Sequence, residues 1–182
     1  NVRPAHPSTK WRLNTPYVRQ YLEDREVTAW FLLDLSPSVD FGTVQTLKRN
    51  ILIDFVTVLA RLLTRHGNRV GAILYTGKIE SVIPAKSGRN QVLRLLKDVL
   101  SQPHLKHAPP TNLTTLFEAA LRVIRRRSLV FIVSDFISAA GWDKPLGMLT
   151  QRHEVLAIRL YDPREMELPD IGPVVIEDAE SG

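Results

Sequence analysis

A chain of 182 residues is the size of one ordinary domain, and 44% hydrophobic with 24% charged residues is the balance of a folded globular protein. The absence of cysteine excludes disulfides and thiolate zinc sites and suits a reducing cytosol. The net charge of +5 is mostly arginine, but no aromatic residues interleave with the basic ones as a stacking platform for single strands requires, so no nucleic-acid partner is expected.

Asn1 to about Pro16 is polar, proline-bearing and without period, and reads as an extended arm ahead of one domain over 17–182. The chain opens without Met, which suggests an excised piece. A cytoplasmic domain is expected, with any membrane anchor in segments absent from this chain, because no apolar run here approaches a span of roughly 18 residues.

Tyr17 to Arg25 is a short mixed segment, and Val27 to Leu33 is a continuous apolar run of strand length. Val44, Leu47, Ile51, Phe55, Val58 and Leu62 recur at helical spacing, and Leu52, Val56, Leu59 and Leu63 widen the stripe. This predicts a long, deeply buried helix stopped by Gly67. Val70 to Tyr75 and Ile79 to Ile83 read as a hairpin turned at Thr76-Gly77-Lys78. Further on come a helix over Val92 to Leu100, a loop from Ser101 to Pro110, and a helix from Thr111 to Arg126. An apolar strand over Leu129 to Val133, a helix over Trp142 to Gln151, a strand over Glu154 to Leu160 and a final strand at Val174 to Ile176 complete the pattern. Apolar strands alternating with helices predict an α/β fold in three layers: a mainly parallel central sheet with helices on both faces and one antiparallel hairpin strand.

In such sheets ligands bind beyond the carboxyl ends of the strands, where strand order switches. Asp34 ends the first core strand, followed by Ser36 and Ser38 at alternate positions, and Asp135 ends a later strand. If those strands are neighbours, the carboxylates meet at one rim, and Thr111, just after the loop from Ser101 to Pro110, is a further candidate oxygen donor. Carboxylate and hydroxyl oxygens without His or Cys are hard donors suited to Mg²⁺, then Mn²⁺. The D-x-S-x-S spacing lets a tight loop turn alternate side chains onto one ion. Ser, Pro and Asp are equally ordinary residues for a turn entering a helix, so the first loop alone fits capping as well as an ion site. Asp40 reads as a cap of the following helix or a solvated side chain.

The motif "DLSPS", with "PPTNL" and "VSDF" far downstream, resembles the metal-ion-dependent adhesion site of von Willebrand factor A domains. Four stretches carry a closer resemblance: "PYVRQYLEDRE", "RVGAILYTGKIESVIPAKSGRN", "RRRSLVFIVSDF" and "RHEVLAIRLYDPREMELPDIG". They are similar to the bacterial and archaeal family called domain of unknown function fifty-eight, found beside MoxR-type AAA+ ATPases. The resemblance implies a non-enzymatic protein-interaction domain. Ser36, Ser38 and Thr111 would contact the ion, with Asp34 and Asp135 acting through water. An Asp or Glu of a protein partner would complete the coordination, and the partner would be a MoxR-type ATPase or its client. Two positions depart from the adhesion pattern: Phe136 stands where Gly is common, and Asn112 where an acid is common.

A metal-dependent nuclease or phosphohydrolase of PIN-like type acting on RNA is the alternative, since such enzymes also open with a strand ending in Asp near a Ser. Two-metal hydrolysis needs three or four converging carboxylates, and only Asp34 and Asp135 are well placed. A scaffold with a decayed site is a third reading. His104 and His107 lie in a proline-rich loop without a nearby acid, "YTGK" lacks the full phosphate-loop pattern, and neither G-x-G-x-x-G nor G-x-S-x-G occurs. Trp30 and Trp142 read as core. Asp162, Glu165, Glu167 and Asp170 read as a solvated acidic loop, and Arg125-Arg126-Arg127 as a helix terminus.

Overall fold

The computed structural model describes residues 26–40, 47–103 and 110–162. The N-terminal arm, the histidines at 104 and 107 and the strand expected at 174–176 lie outside the described residues.

The apolar run after Val27 forms β1 (Thr28–Asp34), the centre of a five-stranded sheet. Successive strand residues point to opposite faces, and here both faces are covered. Ala29, Phe31 and Leu33 enter one core and Trp30 and Leu32 the other. β2 (Arg69–Tyr75) and β4 (Leu129–Ser134) flank β1 in parallel, with Leu33 level with Leu74 on one side and Val133 on the other. β5 (Glu154–Arg159) lies parallel to β4. β3 (Ile79–Lys86) runs antiparallel to β2, giving the order β3-β2-β1-β4-β5. The hairpin turns at the expected residues: Gly77 takes φ 102°, and the Thr76 N–H donates to the Lys78 carbonyl at 3.1 Å. Gly71 sits level with Trp30, and a Cβ there would stand 2.9 Å from the indole and from the Ile83 carbonyl oxygen. Glycine is therefore what lets Trp30 lie against β2.

Four helices cover the sheet. α1 (Lys48–Arg65) and α2 (Arg89–Leu100) pack on the Phe31 face. α3 (Leu113–Val123) and α4 (Asp143–Arg152) pack on the Trp30 face. The fold is the expected three-layer α/β sandwich with one antiparallel strand. Trp30 and Trp142 are packed as expected, Trp142 with its ring 6.2 Å from Phe117.

Several local expectations change. In α1 it is Leu52, Val56 and Ala60 that are fully buried, whereas Ile51, Val58 and Leu62 are exposed. The sheet covers only one side of the helix, so one of two apolar rows must face outward. Gly67 does stop α1, at φ 79° with its N–H on the Thr64 carbonyl and the Asn68 N–H reaching back to Leu63. Asp40 is not the cap of α1: that position is the extended Leu47, with no side-chain cap bond. α3 ends at Val123, short of the arginine cluster, and Arg127 instead pairs with Glu154 at 3.2 Å. Asp162, expected to be solvated, is buried.

Candidate metal centre

β1 and β4 are adjacent at the point where strand order turns from leftward to rightward growth, so their carboxyl ends open onto one crevice. Asp34 closes β1 there and is fully buried. Its Oδ1 accepts the Ser36 N–H at 3.0 Å and its Oδ2 accepts the Ser134 hydroxyl at 2.6 Å. Burial pushes its pKa up to about 6, opposed by the Ser134 and Ser36 hydrogen bonds and reinforced by the Asp135 charge.

The rest of the first loop is a single 3-10 turn, Pro37–Asp40, closed by the Val39 N–H on the Ser36 carbonyl at 3.0 Å. Leu35 and Val39 plunge into the α1–α2 core and pin the loop from below. That leaves Ser36 and Ser38 facing one another, with their Oγ atoms 3.0 Å apart. Among the described contacts, their hydroxyls bond to each other rather than capping backbone N–H groups.

Asp135 follows β4 and is also buried. Its Oδ1 accepts the Ile137 N–H at 3.0 Å, and its Oδ2 accepts the Lys48 ammonium at 3.3 Å. Lys48 is the first residue of α1, and its side chain is 3% exposed. Phe136 adopts the left-handed conformation, φ 61°. The adhesion pattern's Gly thus falls at a position whose backbone favours Gly. Here the conformation is held by the Phe136 N–H on Ser134 Oγ at 2.9 Å and by the ring packed 6.1 Å from Trp142.

Thr111 is buried in the loop ahead of α3 rather than in the helix expected to start there. Its carbonyl accepts the Ala139 N–H at 2.9 Å and the Ser138 hydroxyl at 3.1 Å, tying the second loop to the third. The Tyr75 hydroxyl accepts the Asn112 N–H at 2.8 Å and ties the same loop to β2. Asn112 caps α3, its side chain accepting the Thr114 N–H at 3.1 Å, which gives the departure from an acid a structural role.

The sequence reading overlooked Lys48, the roles of Ser134 and Ser138, and Tyr75. "VSDF" displayed Ser134 openly, but its role depends on β4 lying beside β1. Nothing local marked Lys48, whose partner is 87 positions away.

The donor set is chemically suited to a hard divalent ion: two carboxylates and hydroxyls, with no soft ligand. Two adjacent ligands at about 2.1 Å in an octahedron stand about 3.0 Å apart, and the Ser36 and Ser38 oxygens already have that separation of 3.0 Å. All four carboxylate oxygens of Asp34 and Asp135 carry an internal donor, which fixes their orientation and leaves each oxygen further acceptor capacity. Against this fit stands Lys48, a cation already on Asp135.

The mainly parallel three-layer sheet, with serine- and aspartate-bearing loops at its switch point, is a von Willebrand factor A-like fold. The chain belongs to the family described as "Protein of unknown function DUF58", whose model matches residues 7–182. It is 39% identical over its full 182 residues to uncharacterized protein Rv1480 of Mycobacterium tuberculosis and spans 57% of that relative's length. Among solved structures it is similar to an aerotolerance-related membrane protein from Bacteroides fragilis, with TM-score 0.62, 18% identity, and coverage of 83% of this chain and 73% of that one. It is also similar to the manganese-loaded TRAP protein of Plasmodium vivax, with TM-score 0.56, 16% identity, and coverage of 81% and 65%. At these identities the two structures speak for the fold alone. No helix among the described residues is long and apolar enough to cross a membrane.

Proposed function

We propose that this domain binds a partner protein through a metal-ion-dependent adhesion site and catalyses no reaction. Mg²⁺, or Mn²⁺, is held by Ser36, Ser38 and Thr111, with Asp34 and Asp135 supplying charge and orienting waters. An Asp or Glu of the partner completes the ion's coordination. The partner is a MoxR-type AAA+ ATPase or its client in protein assembly or remodelling, and any membrane attachment lies in segments outside this chain.

The observation that carries this reading is the burial together of Asp34, Ser36, Ser38 and Asp135 at the switch point between β1 and β4, with the Thr111 loop bonded to the same rim. Burying a carboxylate such as Asp34 costs free energy unless a cation compensates, and a divalent ion would supply that compensation. The ion contributes positive charge at the rim; the chain's own part is to hold three loops in register and exclude water beneath them. The described residues hold no group of three or more His, Asp or Glu side chains gathered as for a metal, so the nuclease alternative gains no support there.

Calorimetric titration of Mg²⁺ and Mn²⁺ into the wild type and Asp34→Ala tests the metal claim. Binding by the wild type that is lost in the variant is expected; identical empty isotherms would overturn it. Co-precipitation of a co-expressed ATPase with and without chelator tests the rest. Undiminished capture in chelator would show that the interaction does not run through an ion.

A further inference from the structure

Among the described residues, Lys48 is a buried charged side chain at the rim whose sign opposes a metal. It opens α1, its side chain is 3% exposed, and its ammonium sits 3.3 Å from Asp135 Oδ2, itself 1% exposed on its side chain. A lysine is rarely buried to this degree without a specific charge to meet. Its stem also lines a cavity of about 310 Å³ beside the rim, shared with Ile51, Arg159, Leu160 and Tyr161. The cavity gives the fold open space next to this side chain, and Arg159 makes that space cationic.

We infer that Lys48 is the resident counter-cation of the rim, neutralising Asp135 while no divalent ion is bound and competing with the ion for that carboxylate. This rests on the metal function proposed above. The charge balance explains why such a residue is useful. Asp34 and Asp135 ionised with Lys48 leave one net negative charge, which is tolerable in an ion-free rim. A divalent ion added to the same set leaves one net positive charge, and one carboxylate from a partner cancels it. Lys48 thus weakens the hold on the ion alone and favours the ion and a partner carboxylate arriving together. The same pair keeps Asp135 compensated against water and stray cations.

The test is Mn²⁺ calorimetry on the wild type and Lys48→Met at fixed pH. Removing a positive charge so close to the ion is expected to tighten Mn²⁺ binding by about tenfold. Equal binding, or weaker binding, would mean that Lys48 does not oppose the ion but orients Asp135 for it, and the inference falls while the metal function stands. Binding in neither protein removes both. Because Lys48→Met leaves the buried Asp135 carboxylate without its cation and so destabilises the fold, the wild type supplies a second measurement. In a brief acetic anhydride pulse read by mass spectrometry, Lys48 is expected to be protected without metal and to label more heavily at a Mn²⁺ concentration that saturates the calorimetric signal. Unchanged labelling at saturation overturns the competition.

Discussion

The Ser134 hydroxyl donates to Asp34 Oδ2 at 2.6 Å across the β1–β4 boundary, joining residues 100 positions apart. The same oxygen accepts the Phe136 N–H at 2.9 Å, so one hydroxyl fixes both the first-loop carboxylate and the turn of the third loop. Ser134→Ala is expected to leave Asp34 Oδ2 buried without its donor and to destabilise the domain by roughly 1–3 kcal/mol. Chemical denaturation measures it. A loss no larger than that of an exposed Ser→Ala substitution, such as Ser101→Ala, would show that the bond carries no weight.

At Asp34 the proposed metal role opposes stability. Its carboxyl is pushed up from 3.8 to about 6, so keeping it ionised above that pH costs the fold about 3 kcal/mol. Asp34→Asn retains the shape, and its amide can donate to Ser134. In chelator at pH 8 it is expected to raise Tm, while Mg²⁺ raises the Tm of the wild type alone. A variant less stable than the wild type in chelator would contradict the burial cost.

How much of this was readable beforehand differs by element. β1, β2 and β4 announced themselves because a strand buried on both faces must be apolar throughout, and Gly67 and Gly77 marked the turns their positive φ angles require. The inward side of α1 was not readable. Both of its rows are apolar, and which one meets the sheet is decided by the sheet's position, so Ile51 and Val58 face outward despite their apolar spacing. At the rim, residue types pointed to Asp34, Ser36, Ser38 and Asp135, but their meeting depended on strand order. Lys48 and Arg49 were invisible as buried groups because charges at a helix start ordinarily face water. Their partners are Asp135 and the Gln102 carbonyl, both far away in sequence.

Phe136 should invert a familiar ranking. At φ 61° an L-residue is strained by roughly 1–2 kcal/mol, a cost glycine avoids. Both Phe136→Ala and Phe136→Gly lose the ring packed on Trp142, but only the glycine variant sheds the strain. The glycine variant is therefore expected to be more stable than the alanine variant by about 1 kcal/mol, read from denaturant midpoints at equal slope. An alanine variant as stable as the glycine one would remove the strain argument.

The pH dependence of stability should contain two opposing slopes. His153 is buried after α4, neither ring nitrogen has a partner among the described residues, and burial followed by the Arg152 charge lowers its pKa from 6.5. As pH falls through 6.5 the unfolded chain takes up a proton that the folded protein refuses, so this group removes stability. Asp34 acts the other way. Its folded pKa of about 6 lies above the unfolded 3.8, so the folded protein takes up the proton first and gains stability as pH falls through about 6 toward 3.8. In chelator, His153→Leu is therefore expected to gain stability between pH 7 and 5 relative to the wild type's own profile, and Asp34→Asn to lose it over the same window. Urea denaturation at half-unit pH intervals separates the two. Slopes of the same sign for both variants would mean that one of these groups is not buried in the charge state its surroundings dictate.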